Sequence, residues 1–257
     1  MSFIVVIPAR YGSSRFPGKP LADIGGKPMV VRVAEQATKS GAAEVIVATD
    51  DSRIAEAVRN HGYDVMMTRR NHATGTDRLA EVVSRRKLAQ RSIIVNVQGD
   101  EPLVAPPLIR SVAENLSSHR EAAIATACHR ISDSADLTNP NVVKVVLDNA
   151  GLALYFSRAP IPYARDAYAG GIGSIPRGLP VYRHLGIYAY RASFLLQFKR
   201  MKPALIERFE ALEQLRALAY GYRISVAITR NAPHAGVDTP GDLERVQRHL
   251  ARARRVS

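Results

Sequence analysis

The chain has 257 residues, 46% of them hydrophobic and 23% charged, a size and balance that suit one large globular α/β unit or a domain with a small lobe. Its first apolar run, residues 3–7, is far short of the roughly 20 residues a membrane span needs, and it has neither the basic lead-in nor the cleavage site of a signal peptide. Cys128 is the single cysteine, which excludes an internal disulfide and a cysteine-based zinc site, and the formal net charge of +13 is scattered apart from Arg252, Arg254 and Arg255.

With no tryptophan and no basic motif interleaved with aromatics, the charge reads as a solvated basic surface plus a site for anionic ligands, not as a nucleic-acid interface. A cytoplasmic protein with neither a membrane nor a nucleic-acid partner is expected.

In chain order, residues 3–7 form a continuous apolar run, as in a central parallel strand covered on both faces. Residues 29–39 carry Val30, Val33, Ala34 and Ala37 at helical spacing, and Gly41 can close the helix. A second strand over 44–48 leads to Asp51 or Ser52 as cap of a helix running through Val58, with Gly62 after it. Residues 64–67 read as strand, 79–88 as helix and 92–97 as another buried strand. This alternation predicts a doubly wound, mostly parallel α/β sheet.

The second half is less regular. A helix is expected over 109–116, strands over 122–127 and 142–147, and a hairpin return over 152–157 through the turn at Asp148 to Gly151. Residues 166–180, rich in Gly, Pro and Ala, form a loop long enough to suggest a lid. Helix over 207–220, strand over 222–228 and helix over 242–250 close the chain. One domain with a small inserted β-containing lobe at about 150–190 is expected.

The segment from Pro8 to Pro20 follows the first strand, at the end of the sheet where α/β proteins bind ligands. Its glycines allow close backbone approach, Ser13 and Ser14 can donate hydrogen bonds, and Arg10, Arg15 and Lys19 supply three cations. That chemistry suits a triphosphate, against the plainer alternative of a solvent loop with incidental charge. It is not a Walker loop, since Gly12 and Gly18 are one residue too far apart and Pro20 stands where a hydroxyl should be.

The run Pro-Ala-Arg-x-x-Ser-Ser-Arg-x-Pro-Gly-Lys-Pro-Leu, from Pro8 to Leu21, resembles the entry motif of the sugar-activating cytidylyltransferases. The likeness runs over nearly the whole chain and is strongest to the branch that acts on 3-deoxy-manno-octulosonate (Kdo). It implies a nucleotide-diphospho-sugar-transferase-like sheet, CTP and an acidic sugar as substrates, Mg²⁺ as cofactor, a homodimer through the inserted lobe, and a place in lipopolysaccharide biosynthesis. Ala9, Arg10, Ser13, Ser14, Arg15 and Lys19 become nucleotide-binding candidates, with Lys19 and Arg15 nearest the departing pyrophosphate.

Three further constellations acquire roles in the same way. The stretch His72-Ala-Thr-Gly-Thr-Asp-Arg78 reads alone as a helix cap by Thr74 or Thr76. The resemblance makes Thr74, Gly75 and Arg78 a cytosine pocket, with Thr74 replacing the family's usual serine. Asp100, in Gln98-Gly-Asp-Glu-Pro102, and Asp238, before Thr239-Pro240, read alone as a turn residue and a helix cap; the family's matching aspartates hold magnesium, and Asp100 is also a catalytic candidate. His184 alone would be a structural histidine, and Glu213 and Gln214 exposed helix positions. The resemblance of the segments around them makes Gln98, Arg158, His184, Tyr188, Glu213 and Gln214 the sugar-binding candidates, with Gln98 also on the nucleotide side.

The implied reaction is attack of the sugar's anomeric 2-hydroxyl on the α-phosphorus of CTP, in line with the leaving pyrophosphate, with no dedicated histidine base. A cytidylyltransferase for a sialic acid, a non-catalytic nucleotide-binding regulatory module and a basic nucleic-acid protein are the alternatives.

Overall fold

The computed structural model describes residues 1–12, 16–72, 74–230, 232, 234 and 236–256, with side chains described through residue 252. Its first half is strand and helix in alternation: β1 (Ile4–Ala9), α1 (Met29–Lys39), β2 (Glu44–Thr49), α2 (Ser52–Asn60), β3 (Asp64–Met67), α3 (Gly75–Arg85), β4 (Ile93–Asn96) and α4 (Pro106–Ser118). There follow β5 (Ala122–Arg130), α5 (Ser134–Thr138), the hairpin β6 (Lys144–Leu147) and β7 (Ala153–Ser157), and β8 (Tyr182–Arg191). Helices α6 (Ala192–Phe198), α7 (Leu205–Glu210) and α8 (Gln214–Ala219), strand β9 (Arg223–Thr229) and α9 (Pro240–Val256) complete the chain.

The continuous apolar run of β1 is buried because both faces of the strand are covered. Val5, Ile7 and Ala9 join the core beneath α1, α2 and α4, while Ile4 and Val6 face the core beneath α3, α6 and α8. The main sheet runs β3-β2-β1-β4-β8-β5-β9. The expected α/β class and mostly parallel sheet are therefore present, with β8 as the antiparallel strand between β4 and β5.

The segment around His184, a binding candidate by resemblance, is strand β8. Its alternation of buried Leu185, Ile187 and Ala189 with His184, Gly186 and Tyr188 is a period-two strand signal that was available in the sequence. Of the segment expected as an inserted lobe, β7 lies off the main strand order, paired with the preceding β6, whereas β8 is built into it. The loop over 166–180 contributes the buried Tyr168 to a small core with Ile131, Leu137, Val142 and Val181.

The helix expected over 207–220 is broken in two. Ala211 adopts a left-handed backbone, φ 50°, where a continuing helix is impossible. Glu210 is drawn to the end of β7, accepting from the Ser157 hydroxyl at 2.5 Å and the Arg158 backbone N–H at 2.9 Å. That anchorage ends α7 and lets α8 start in a new direction at Gln214.

The carboxyl ends of β1 and β4 meet closely. A Cβ on Gly99 would stand 2.9 Å from the Pro8 carbonyl oxygen, closer than side chains tolerate. Gly99→Ala is expected to destabilise the protein by about 1–3 kcal/mol, the usual cost of forcing extra volume into a packed contact. Urea unfolding measures this; an unchanged midpoint would show that the two turns are not held in register.

Candidate active site

The loop after β1 closes on itself where the Gly18 N–H donates to the Tyr11 carbonyl at 3.0 Å, and Gly18 sits at φ 73°, a conformation glycine adopts without a steric penalty. Lys19 then opens a short 3-10 helix, Lys19–Leu21. Ser13, Ser14 and Arg15 lie outside the described residues. Ala9 is buried at the end of β1, and the Arg10 guanidinium donates to the His72 carbonyl at 2.7 Å, tying this loop to the one before α3.

The Lys19 ammonium bonds Asp100 Oδ2 at 2.6 Å and Asp238 Oδ1 at 3.3 Å, so residues far apart in the chain share one cation. Backbone contacts explain the convergence. The Val237 N–H donates to the Asp100 carbonyl at 2.9 Å, and Val237 is fully buried with Ile24, Met29 and Val246. Asp238 is not the cap of α9. Thr239 and Asp242 exchange that role: the Asp242 N–H donates to Thr239 Oγ1 at 3.2 Å, and the Thr239 N–H to Asp242 Oδ2 at 2.9 Å.

Before α3 the plainer reading, a helix cap, is present. Thr74 is the N-cap and forms a capping box with Asp77, while Gly75 starts the helix against Pro8. Arg78 lies elsewhere than expected. Its side chain is 0% exposed and its guanidinium donates to Thr68 Oγ1 and, at 2.8 Å, to Asp50 Oδ2. It is a strut joining the ends of β2 and β3 to α3. Losing one partner of such a buried pair typically costs several kcal/mol.

Tyr188, Glu213 and Gln214 line one cavity of about 60 Å³ with Thr76, whose hydroxyl donates to Glu213. Among the described residues the Nε2 of Gln214 is buried with no hydrogen-bond partner. Desolvation raises the Glu213 carboxyl above its ordinary range, and it raises the Tyr188 phenol strongly. His184 packs beside Tyr188, ring centroids 5.4 Å apart. Arg158 is committed to backbone, donating to the Glu210 carbonyl at 2.7 Å and the Pro140 carbonyl at 2.8 Å, and it braces α7 against β7. Gln98 is half-buried just beyond β4, and its carbonyl accepts from the Glu101 N–H at 3.2 Å.

Two further residues belong to this region. Thr126, fully buried on β5, faces a bulge where β8 carries two extra residues, and its Oγ1 lies 3.0 Å from His184 Nε2 and 2.8 Å from the Ile187 carbonyl. A hydroxyl has one proton; if the carbonyl takes it, His184 Nε2 must be the donor, which leaves Nδ1 as acceptor. Desolvation pushes the His184 imidazole down to about 3, so it is neutral. Glu101 lines a cavity of about 350 Å³ that reaches His184 and Gly186, joining the Asp100 turn to the His184 side. Burial, with Asp100 beside it, raises its carboxyl to about 7. The sequence signal for Glu101 was its place in the Asp100 turn; Thr126, a threonine inside a strand, gave none.

The carboxyl edge of a doubly wound sheet, a cationic loop and two carboxylates on one lysine define a nucleotide-handling α/β protein. The chain matches the Cytidylyltransferase family model over residues 4–224, and it belongs to that family. It is similar to a solved CMP:2-keto-3-deoxy-manno-octonic acid synthetase complexed with CTP, at 42% identity, 98% coverage of this chain, 100% of that chain and a TM-score of 0.89. A cytidylyltransferase from Leptospira borgpetersenii serovar Hardjo-bovis shares the fold at 16% identity, with 98% and 88% coverage and a TM-score of 0.62.

The neutral His184 has a consequence for stability. Between about pH 3 and its unfolded value of 6.5 the unfolded chain binds a proton the folded one does not, so folding stability falls as pH is lowered through that window. His184→Gln removes this dependence. The stability difference between wild type and variant is expected to shift by about 1–3 kcal/mol in the variant's favour from pH 7 to pH 4.5. Parallel profiles in denaturant titrations would contradict a neutral imidazole in the folded protein.

Proposed function

We propose that the protein transfers CMP from CTP to 3-deoxy-manno-octulosonate, releasing pyrophosphate. The observation that carries this reading is the full-length likeness to a synthetase of that product at 42% identity, together with Lys19, Asp100 and Asp238 converging where the phosphates would lie. A new bond forms between the sugar's anomeric oxygen and the α-phosphorus, the bond from that phosphorus to the bridging oxygen breaks, and the hydroxyl proton passes to water. Lys19, and Arg15 by resemblance, neutralise the departing pyrophosphate. The base loop around Thr74 and Gly75 offers backbone groups to cytosine, held in place by Arg10 on the His72 carbonyl.

Two carboxylates fit magnesium, which typically takes one or two protein carboxylates and fills its other positions with phosphate oxygens and water. Among the described residues no cluster of three or more metal-ligating side chains forms, in keeping with a cation that relies on its substrate for ligands. When bound, magnesium supplies charge neutralisation at the phosphates and lowers the pKa of the attacking hydroxyl. Glu213, Gln214 and Tyr188 would hold sugar hydroxyls, and His184 would accept one through Nδ1.

Among the described residues no helix is long and apolar enough to cross a membrane. A cytoplasmic homodimer through the inserted lobe, supplying activated sugar for lipopolysaccharide assembly, is the accompanying proposal; exposed Leu154 and Tyr163 in that segment offer apolar surface for self-association.

Pyrophosphate release should occur with CTP and Kdo, and not with UTP or ATP, nor with sialic acid or neutral sugars. Release only with sialic acid would reassign the sugar, and no release with any pair would sink the reading. Asp100→Asn should lower kcat by at least about a hundredfold, the scale on which loss of transition-state charge stabilisation is felt, while CTP still binds. Near-normal turnover would remove Asp100 from the chemistry.

A further inference from the structure

Asp100 and Asp238 come from segments far apart in the chain and are brought together by the Val237–Asp100 backbone bond. Two carboxylates held in this way repel each other unless a cation lies between them. Lys19 is a cation in contact with both, at 2.6 Å and 3.3 Å. The lysine side chain is only 12% exposed, so its ammonium is largely withdrawn from water and depends on these oxygens. A divalent metal needs the same oxygens, and it would have to sit beside a positive charge already engaged with them.

We propose that Lys19 is a placeholder cation, which blocks the two-carboxylate site to divalent metal in the free enzyme and vacates it when a triphosphate offers the ammonium new anionic oxygens. This rests on the reading of Asp100 and Asp238 as the magnesium carboxylates. Metal and nucleotide then bind as linked partners: the free enzyme takes up metal poorly, the nucleotide complex takes it up well, and by reciprocity metal tightens nucleotide binding by the same factor. One side chain thus neutralises the acidic pair before substrate arrives and the phosphates afterwards.

Titration of the free full-length protein with Mn²⁺, followed by electron paramagnetic resonance, tests this without turnover. Lys19→Met keeps the aliphatic stem and removes the charge. Since Asp100 and Asp238 are 34% and 52% exposed, water can solvate both carboxylates and the fold should persist; Lys19→Gln serves as a second neutral variant. Both variants should bind Mn²⁺ at least about tenfold more tightly than wild type in the absence of nucleotide, a change of about 1.4 kcal/mol. CTP without sugar should then tighten Mn²⁺ binding far more in wild type than in either variant. No gain in affinity in the variants, with Mn²⁺ binding in the CTP complex still lost in Asp100→Asn, would overturn the placeholder and leave the metal reading standing. Mn²⁺ binding that ignores both Asp100→Asn and Asp238→Asn would overturn the metal reading, and this inference with it.

Discussion

One backbone hydrogen bond organises the proposed nucleotide end of this protein: the Val237 N–H to the Asp100 carbonyl, 2.9 Å long. It joins the turn after β4 to the segment before α9, and burial of Val237 makes it costly to break. The same turn is pressed against β1 through Gly99 and Pro8. Loops from three separate parts of the chain therefore meet at one point on the sheet's carboxyl edge. Carboxylates on two of them face a lysine on the third. The charge arrangement follows from the backbone contacts, which explains how a pair that repels can be held ready.

The proposed sugar side depends on a different kind of constraint, the interruption of regular structure. The bulge in β8 turns carbonyls toward the Thr126 hydroxyl, and that hydroxyl orients the His184 imidazole. The left-handed Ala211 stops α7 and redirects the chain, so that Glu213 and Gln214 reach the cavity shared with Tyr188 and Thr76. Had the expected helix over 207–220 been continuous, Glu213 would not have been freed to start a new element. Irregular backbone positions these groups, while the sheet beneath stays rigid.

The first half of the fold was legible because its strands are buried on both faces and its helices carry clean apolar stripes. α1 and β3 begin and end where residue periodicity placed them. The second half was harder. The break at Ala211 arises from contacts between Glu210 and the end of β7, which no local pattern announces. Lys19, Asp100 and Asp238 could be singled out by type and by resemblance, but their meeting could not be read from the chain. Arg78 shows the opposite limit: an arginine next to a binding loop looks like a ligand group, yet the nearby Asp50 and Thr68 draw it inward as a strut.

The central claim is that Asp100 and Asp238 act as a single cation site, and a double-mutant cycle on turnover tests it most directly. Residues that work as one unit are strongly non-additive, so removing the second costs little once the first is gone. The account predicts that Asp100→Asn with Asp238→Asn together lower kcat scarcely more than the worse of the two single substitutions. Losses that multiply in the double variant would mean that the two carboxylates act separately, and would contradict it.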